Sequence, residues 1–114
     1  MIVGMGIDLV DLAKFTNSIS NNYRVKEKLF TQNEIEFDDN LLAECFASKE
    51  ALIKALDNNQ TFRWKNAEIT RDNFGKPKFV FHSELSEIMK TYDALLSITH
   101  TKTVVQAVVV LQAR

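Results

Sequence analysis

Two acids and a lysine have the types and spacing of a site for a metal ion and phosphates. Asp8 ends a predicted strand, and Glu50 and Lys54 lie one turn apart on a helix predicted over about 41–56. A strand carboxylate and a helix carboxylate can together hold a hard cation such as Mg²⁺, with waters and phosphate oxygens completing its shell. Lys54 would offer a point charge to the same phosphates. A Glu followed four residues later by Lys is also a common ion pair of a helix surface, so this second interpretation stays open.

The predicted strand that ends at Asp8 has glycines, and therefore no side chains, at the positions that share a face with this acid. In residues 1–8, Gly4 and Gly6 alternate onto the same face as Asp8, and apolar side chains fill the opposite face. Glycine weakens a strand, so its presence here indicates either the close approach of a backbone or ligand, or a simple bend or bulge.

The predicted helix has an apolar arc of about 140°. Lys49 falls near the middle of this arc. A buried ammonium is costly unless it is paired or reaches solvent. Lys49 therefore either snorkels along an apolar surface or is a cation held beneath an anion site.

A cluster of donors surrounds the second histidine. His100 has Thr99, Thr101 and Lys102 beside it, and such a cluster suits a phosphate. A lone histidine is more often structural, and His82, which lacks such neighbours, is interpreted as a surface residue.

The first half of the chain is predicted to be largely helical after the initial strand. Asp11 caps an amphipathic helix, residues 24–30 form a short basic helix, and Thr31 with Glu34 has the spacing of a capping box that begins another.

The second half is predicted to be rich in strands. The predicted elements are strands over 62–70 and 78–82 joined by a turn over 72–77, a helix capped by Ser83, and a hairpin of 95–100 with 104–112. Residues 104–111 are apolar on both faces, which calls for cover on both sides and, in so small a chain, indicates subunit association. The order of elements predicts an α+β fold, an antiparallel sheet packed with helices, in a single domain over 1–114.

Size and composition exclude several classes of protein. The chain has 114 residues, 46% hydrophobic and 25% charged, with a net charge of −1, so nothing attracts it globally to nucleic acid. Cys45 is the only cysteine, which excludes an internal disulfide and fits a reducing compartment. The first residues lack the charged region of a signal peptide, and the apolar run 107–111 is too short to span a bilayer. We expect a cytoplasmic protein that binds neither membrane nor nucleic acid.

Four motifs, in order, resemble those of 4′-phosphopantetheinyl transferases, in particular the small single-domain trimeric group. They are Gly6-Ile7-Asp8, the segment Phe46 to Ala55 with its Lys-Glu-Ala and further Lys, the turn Asp72 to Pro77, and Ser97-Ile98-Thr99-His100-Thr101. The resemblance covers essentially the whole chain. It implies transfer of the 4′-phosphopantetheine arm of coenzyme A to a serine of acyl carrier protein, with release of adenosine 3′,5′-bisphosphate, in support of fatty acid biosynthesis.

The resemblance also implies roles for individual residues. Asp8 and Glu50 would bind Mg²⁺ and form the catalytic set with Lys54, which would also bind the pyrophosphate of the coenzyme. The remaining roles are phosphate contacts from a neighbouring subunit by His100 and Thr101, the adenine end of the coenzyme at Gly75, Lys76 and Pro77, and docking of the acidic carrier protein by Lys14, Arg24 and Lys28. An ordinary solvated face is an equally open interpretation of that last basic group.

The chain departs from the pattern of the family at four places. Cys45 stands where Arg is frequent, residues 57–59 replace a glycine-rich turn, Phe74 stands where Asn is common, and Lys14 replaces an Arg and loses any bidentate contact. Two rival functions remain open: a magnesium-dependent hydrolase of a coenzyme A-like phosphoanhydride, and a non-catalytic coenzyme A-binding module.

Overall fold

The computed structural model describes residues 1–56 and 62–114. In chain order, the helices and strands are β1 Ile2–Asp11, α1 Leu12–Ile19, α2 Tyr23–Leu29, α3 Asp39–Ala55, β2 Ala67–Arg71, β3 Pro77–Phe81, α4 Ser83–Ile88, β4 Tyr92–His100 and β5 Val104–Ala113. Short 3₁₀ helices precede β2 and follow α4. The predicted α+β class and the paired carboxy-terminal strands are confirmed.

The main sheet has three antiparallel strands in the order β1-β5-β4, and β2 with β3 forms a separate antiparallel pair. Helix α3 lies across the inner face of the main sheet, where it covers β1 and the central strand β5. The core is therefore two layers, helices on one face of a sheet.

Glycine in β1 is what permits this packing. A Cβ atom added to Gly6 would lie 1.8 Å from the carbonyl oxygen of Ala51, and one added to Gly4 would lie 2.1 Å from that of Ala55. These separations are far below van der Waals contact, so only glycine lets the backbone of α3 come this near to the strand. Of the two interpretations of these glycines, close backbone approach is the one found, although the register of β1 also shifts between Ile2 and Gly4.

Lys49 is wholly buried, as the apolar arc of α3 requires, yet it neither snorkels nor lies under an anion site. Its ammonium donates to Glu34 Oε1 at 2.6 Å and to the carbonyl oxygen of Leu29 at 2.8 Å, and both side chains of the ion pair are 0% exposed. Burial lowers the pKa of Lys49, and the carboxylate of Glu34 acts against that shift. Both predicted roles for Lys49 are wrong, because its partner comes from a distant turn.

That turn is the predicted capping box. Thr31 N donates to Glu34 Oε1 at 2.9 Å and Glu34 N donates to Thr31 Oγ1 at 3.3 Å, which is the reciprocal pair of bonds that the spacing predicts. No helix follows, since residues 32–36 form only turns. The motif instead holds Glu34 beneath Lys49, and Glu34 Oε2 accepts from Ile69 N at 2.8 Å.

Two further boundaries differ from the predicted ones. The segment Trp64–Asn66 is a 3₁₀ helix, so β2 begins only at Ala67. Ser83 does not cap α4; it is the first helical residue and has a φ of 55°, while His82 occupies the cap position. No helix among residues 1–56 and 62–114 is both long and apolar enough to cross a membrane.

The outer face of the main sheet has no covering layer among the described residues. On β1, Met5, Ile7 and Leu9 are more than half exposed, and Leu95 on β4 is also half exposed. The register places Met5 and Leu95 on either side of Val110 of β5. The doubly apolar strand predicted from the sequence thus has helical cover on one face only.

Candidate active site

The two predicted metal ligands lie on one cavity. Asp8 belongs to β1 and Glu50 to α3, and both side chains line a cavity of about 530 Å³, together with Lys14 and Phe46. The acids come together because the glycines of β1 allow α3 to pack closely against the strand. The structure therefore brings together Asp8 and Glu50, which lie 42 positions apart in the sequence.

Lys54 reaches back to the same strand. Its ammonium donates to Asp8 Oδ1 at 3.1 Å and to the carbonyl oxygen of Ile7 at 2.9 Å, and its side chain remains 52% exposed. The ion pair of Lys54 is therefore with Asp8 of the strand. The simple helix-surface pair with Glu50, left open by the sequence, is not the arrangement found. A half-exposed ammonium beside the acids is accessible to an incoming anion.

Electrostatic repulsion is built into this acid pair. Burial raises the pKa of Glu50, the nearby charge of Asp8 raises it further, and Lys54 opposes both effects. Two carboxylates that disfavour each other's charge fit a divalent cation. Mg²⁺ in particular takes one or two protein carboxylates and leaves its other positions to water and substrate phosphates. No group of three or more His, Cys, Asp or Glu side chains suited to a metal occurs in the part of the chain that the structure describes.

His100 and Thr101 are not brought to this cavity within one chain. His100 ends β4, with the central strand β5 between it and β1, and is exposed. The hydroxyl of Thr101 accepts from Thr103 N and from Val104 N, both at 3.2 Å, and so shapes the hairpin turn. Neither residue lines the cavity of Asp8 and Glu50.

The predicted adenine-end turn is the tip of the β2–β3 hairpin and is held by hydrogen bonds to its own backbone. Gly75 adopts a left-handed φ of 81°, which favours glycine. Asp72 Oδ1 accepts from Phe74 N at 2.8 Å and from Lys76 N at 3.0 Å. These backbone bonds lower the pKa of Asp72. The turn thus holds one conformation without contact to the acid pair.

The predicted basic docking set divides between two surfaces. Lys14 lines the cavity of the acid pair, whereas Arg24 and Lys28 line a groove of about 630 Å³ on α2. The sequence interpretation missed Arg63 and Lys65, which line the same groove. The sequence signal that could have identified them is Arg63-Trp64-Lys65, in which two basic residues flank an aromatic one.

Two stacked rings join the groove to the acid pair. Trp64 lines the groove, and its ring stacks on that of Phe46 with centroids 5.2 Å apart and an interplanar angle of 10°. Phe46 in turn lines the cavity of Asp8 and Glu50. The basic groove and the cavity therefore share one aromatic wall.

Cys45 contributes no charge to the site. It is buried, and burial raises the pKa of its thiol. It lines a cavity of about 480 Å³ that also contains Arg71, whose guanidinium bonds Glu44 and the carbonyl oxygen of Gly75. A second departure from the family pattern, residues 57–59, lies outside the described residues.

His82 is exposed, as the sequence predicted, and its ring is also paired with an acid. Its Nε2 lies 2.9 Å from Glu68 Oε1, and the other oxygen of Glu68 accepts from Asn33 Nδ2 at 2.9 Å. This cluster ties the β2–β3 pair to the turn before α3 and has no contact with the acid pair.

Comparison with known proteins identifies the class. The sequence model of the 4'-phosphopantetheinyl transferase superfamily matches residues 4–109, so the chain belongs to that superfamily. Within it, the chain is similar to the holo-[acyl-carrier-protein] synthase of Leifsonia xyli subsp. xyli, with 42% identity over 83 residues, 73% of this chain and 70% of the relative. It is also similar to that of Alkaliphilus oremlandii, with 35% identity over 96% of this chain and 100% of the relative.

Solved structures agree with the fold. The crystal structure of holo-[acyl-carrier-protein] synthase from Neisseria meningitidis has a TM-score of 0.89 and 27% identity, over 98% of this chain and 99% of that one. The enzyme from Bacillus anthracis, solved in complex with coenzyme A (3',5'-ADP), has a TM-score of 0.80 and 27% identity, over 100% of this chain and 99% of that one. The family and the fold expected from the sequence are confirmed.

Proposed function

We propose that this protein transfers the 4′-phosphopantetheine arm of coenzyme A to a serine of apo-acyl carrier protein. The observation that carries the proposal is the convergence of Asp8 and Glu50 on one cavity, with the Lys54 ammonium bonded to Asp8. Relatives that share the family and length of this chain are named for this activity. As the resemblance implies, we place the reaction in the cytoplasm and in fatty acid biosynthesis.

The chemistry is displacement at phosphorus. The serine oxygen bonds to the phosphorus that bears the pantetheine arm, its proton passes through a base to solvent, and the bond to adenosine 3′,5′-bisphosphate breaks. Such reactions depend mainly on positioning and on neutralising charge. Lys54, half exposed beside the acids, places a cation where a pyrophosphate would lie.

Asp8 and Glu50 would hold Mg²⁺ for this reaction. The bound ion supplies charge neutralisation at the pyrophosphate. The pKa of Glu50 is raised first by burial and then by the charge of Asp8, and a bound divalent cation would offset both effects, which supports this assignment.

The basic groove gives the carrier protein a place to dock. Among the described residues that line it, Arg24, Lys28, Arg63 and Lys65 outnumber the single acid Glu27. An acidic partner is attracted to such a surface, and the charges raise its association rate. The shared wall of Trp64 and Phe46 leads from the groove to the acid pair, so a docked partner can present a serine there.

We further propose a homotrimer with sites between subunits. The bare apolar face of the main sheet supports association, because exposed patches of this kind mark protein interfaces. A neighbouring copy could bring the exposed His100 and Thr101 to the acid pair of another chain. Within one chain they stand away from it.

A single assay tests the activity. Protein is mixed with apo-acyl carrier protein, coenzyme A and Mg²⁺, and the carrier is weighed by mass spectrometry. A mass gain of one phosphopantetheine group is expected. Coenzyme A cleavage without that gain would identify a hydrolase, and binding without either product would identify a binding module.

Substitution of the acids tests the metal assignment. Asp8→Ala and Glu50→Ala should each retain the circular dichroism spectrum and lose most transfer activity. Asp11→Asn is the matched control, because Asp11 lines the same cavity but caps α1, and Asn can keep that cap. Near-normal transfer by either alanine variant at limiting Mg²⁺ would count against the assignment.

Charge reversal tests docking. Arg24→Glu combined with Lys28→Glu, both on the basic groove, should raise KM for the carrier protein and leave KM for coenzyme A unchanged. Lys90→Glu is the control, since Lys90 is exposed, pairs with Glu87 and lines neither surface. An equal effect on both substrates would contradict the docking surface.

A further inference from the structure

Helix α2 carries two of the proposed docking cations, yet little packing fixes it to the rest of the chain. None of its seven residues is buried, although Val25 and Leu29 pack against the core with part of their surface. An isolated helix of this length is unstable in water. Contacts outside the helix must therefore set the position of Arg24 and Lys28 on the groove.

The carbonyl oxygen at the end of α2 accepts a hydrogen bond from a buried cation. Lys49 Nζ of α3 donates to the carbonyl oxygen of Leu29 at 2.8 Å and lies 5.4 Å from the centroid of the buried Phe30 ring. Leu29 is the last residue of α2, so its carbonyl has no partner within the helix. A cation at this end also meets the negative end of the helix dipole. Lys49 therefore fixes the C-terminal end of α2.

This contact relates the docking helix to the acid pair, because Lys49 directly precedes Glu50 on α3. Helix α3 is held against β1 by a different contact, the close approach of the glycines of β1 to the backbone of Ala51 and Ala55. Leu29 lines both the basic groove and the cavity of the acid pair. The two surfaces therefore adjoin at the end of α2 that Lys49 holds.

We propose that Lys49 is a positioning residue for the carrier protein, because it sets where α2 presents its cations relative to Glu50. The inference rests on the proposed function and deepens it. Without the bond to Leu29, the packing of α3 on β1 would keep the acid pair in place while α2 shifted. Binding of the carrier protein would weaken, whereas coenzyme A, which the acid pair and Lys54 engage, would bind as before.

The test needs a variant that removes the bond to Leu29 and leaves no unpaired charge in the core. Lys49→Met alone would leave the carboxylate of Glu34 buried without its cation, which is strongly destabilising. The variant used is therefore Lys49→Met combined with Glu34→Gln, since replacing both members of a buried ion pair costs far less than removing one. The new amide oxygen can still accept from Ile69 N.

Steady-state kinetics give the first readout. The double variant should raise KM for apo-acyl carrier protein about tenfold, as expected when one hydrogen bond to a charged group is lost, with kcat and KM for coenzyme A unchanged. Leu111→Ala is the control, because truncating this buried leucine of β5 lowers stability and should leave both KM values at those of wild type. An equal rise in the two KM values, or the same rise in Leu111→Ala, would overturn the positioning role, because KM would then follow stability.

Hydrogen exchange gives the second readout and needs no turnover. In the double variant, the amides of α2 over Tyr23–Leu29 should exchange faster than in wild type, while those of α3 around Glu50 should not. Unchanged protection of α2 would overturn the inference even if KM rose. Absence of transfer by wild type would overturn the proposed function instead, and the exchange of α2 would still decide whether Lys49 fixes this helix.

Discussion

Glu50 is the residue at which function and stability oppose each other. Burial and Asp8 raise its pKa in the folded protein, so between the ordinary and the raised pKa the folded chain binds more protons than the unfolded chain. The free energy of unfolding therefore decreases as pH rises from the ordinary pKa of Glu50 to its raised pKa. Without a divalent ion, Glu50→Gln should increase the Tm at neutral pH and abolish transfer.

Thermal unfolding in chelator at several pH values checks this expectation. The gain in Tm from Glu50→Gln should shrink as pH falls below the ordinary range of a glutamate. Glu36→Gln, which alters an exposed acid, is the control and should give little change at either pH. An equal gain at acid and neutral pH would contradict the electrostatic explanation.

The buried pair of Lys49 and Glu34 makes a different prediction. Lys49→Met removes one partner and leaves a buried carboxylate whose remaining donors, among the described residues, are the N–H groups of Thr31 and Ile69. Removing one member of such a pair typically costs about 3–5 kcal/mol. Urea denaturation should give a loss in this range, and Lys90→Met should stay close to wild type. A loss below about 1 kcal/mol would mean that the pair contributes little.

Among the elements, the contact of β1 with α3 decides whether the acids meet. Gly6→Ala would set a Cβ 1.8 Å from the carbonyl oxygen of Ala51, so the helix must move away from the strand and Glu50 must move away from Asp8. We expect lower stability together with a large loss of transfer. Gly75→Ala, which meets nothing within 4 Å but keeps a φ of 81°, should cost only about 1–2 kcal/mol of strain.

Activity and denaturation, measured together, separate the two effects of this change. If Gly6→Ala were to unfold at the same urea concentration as wild type, the close approach would not be needed. Full activity in a destabilised Gly6→Ala would show that the acids meet by some other packing.

The elements that the sequence predicted best are those governed by local rules. The spacing of Gly4, Gly6 and Asp8 within one strand offered a close approach or a bend as two open interpretations, of which the first is the one found, and the cap at Asp11 predicted where α1 begins. Lys49 escaped prediction because its partner, Glu34, is held by a turn elsewhere in the chain. The capping box of Thr31 formed its two bonds without a helix, since tertiary contacts of Glu34 took precedence over local propensity.

For the whole molecule, the sequence predicted which residues gather at the acid pair. It did not predict that the basic residues near this pair lie on two different surfaces. Asp8, Glu50 and Lys54 came together because one strand and one helix determine their positions. The basic set separated into Lys14 at the cavity and Arg24 on the groove, because α1 and α2 face different surfaces. The periodicity of a sequence predicts on which face of a helix a residue lies. It does not predict which surface of the folded protein that face belongs to.

The bare face of the main sheet gives the last prediction. Met5 is 63% exposed on the row that also contains Val110 and Leu95, and a charge there would be buried unpaired in any assembly that covers this face. Met5→Lys should therefore leave each chain folded, because α3 packs on the opposite face, and convert the proposed trimer to monomers in light scattering.

Transfer should fall with that dissociation if His100 and Thr101 act from a neighbouring chain. Val80→Lys, a charge on the separate strand pair, should preserve the assembly and its activity. A Met5→Lys monomer with full activity would show that each chain holds a complete site by itself. A wild-type monomer would show that the exposed apolar rows serve another partner.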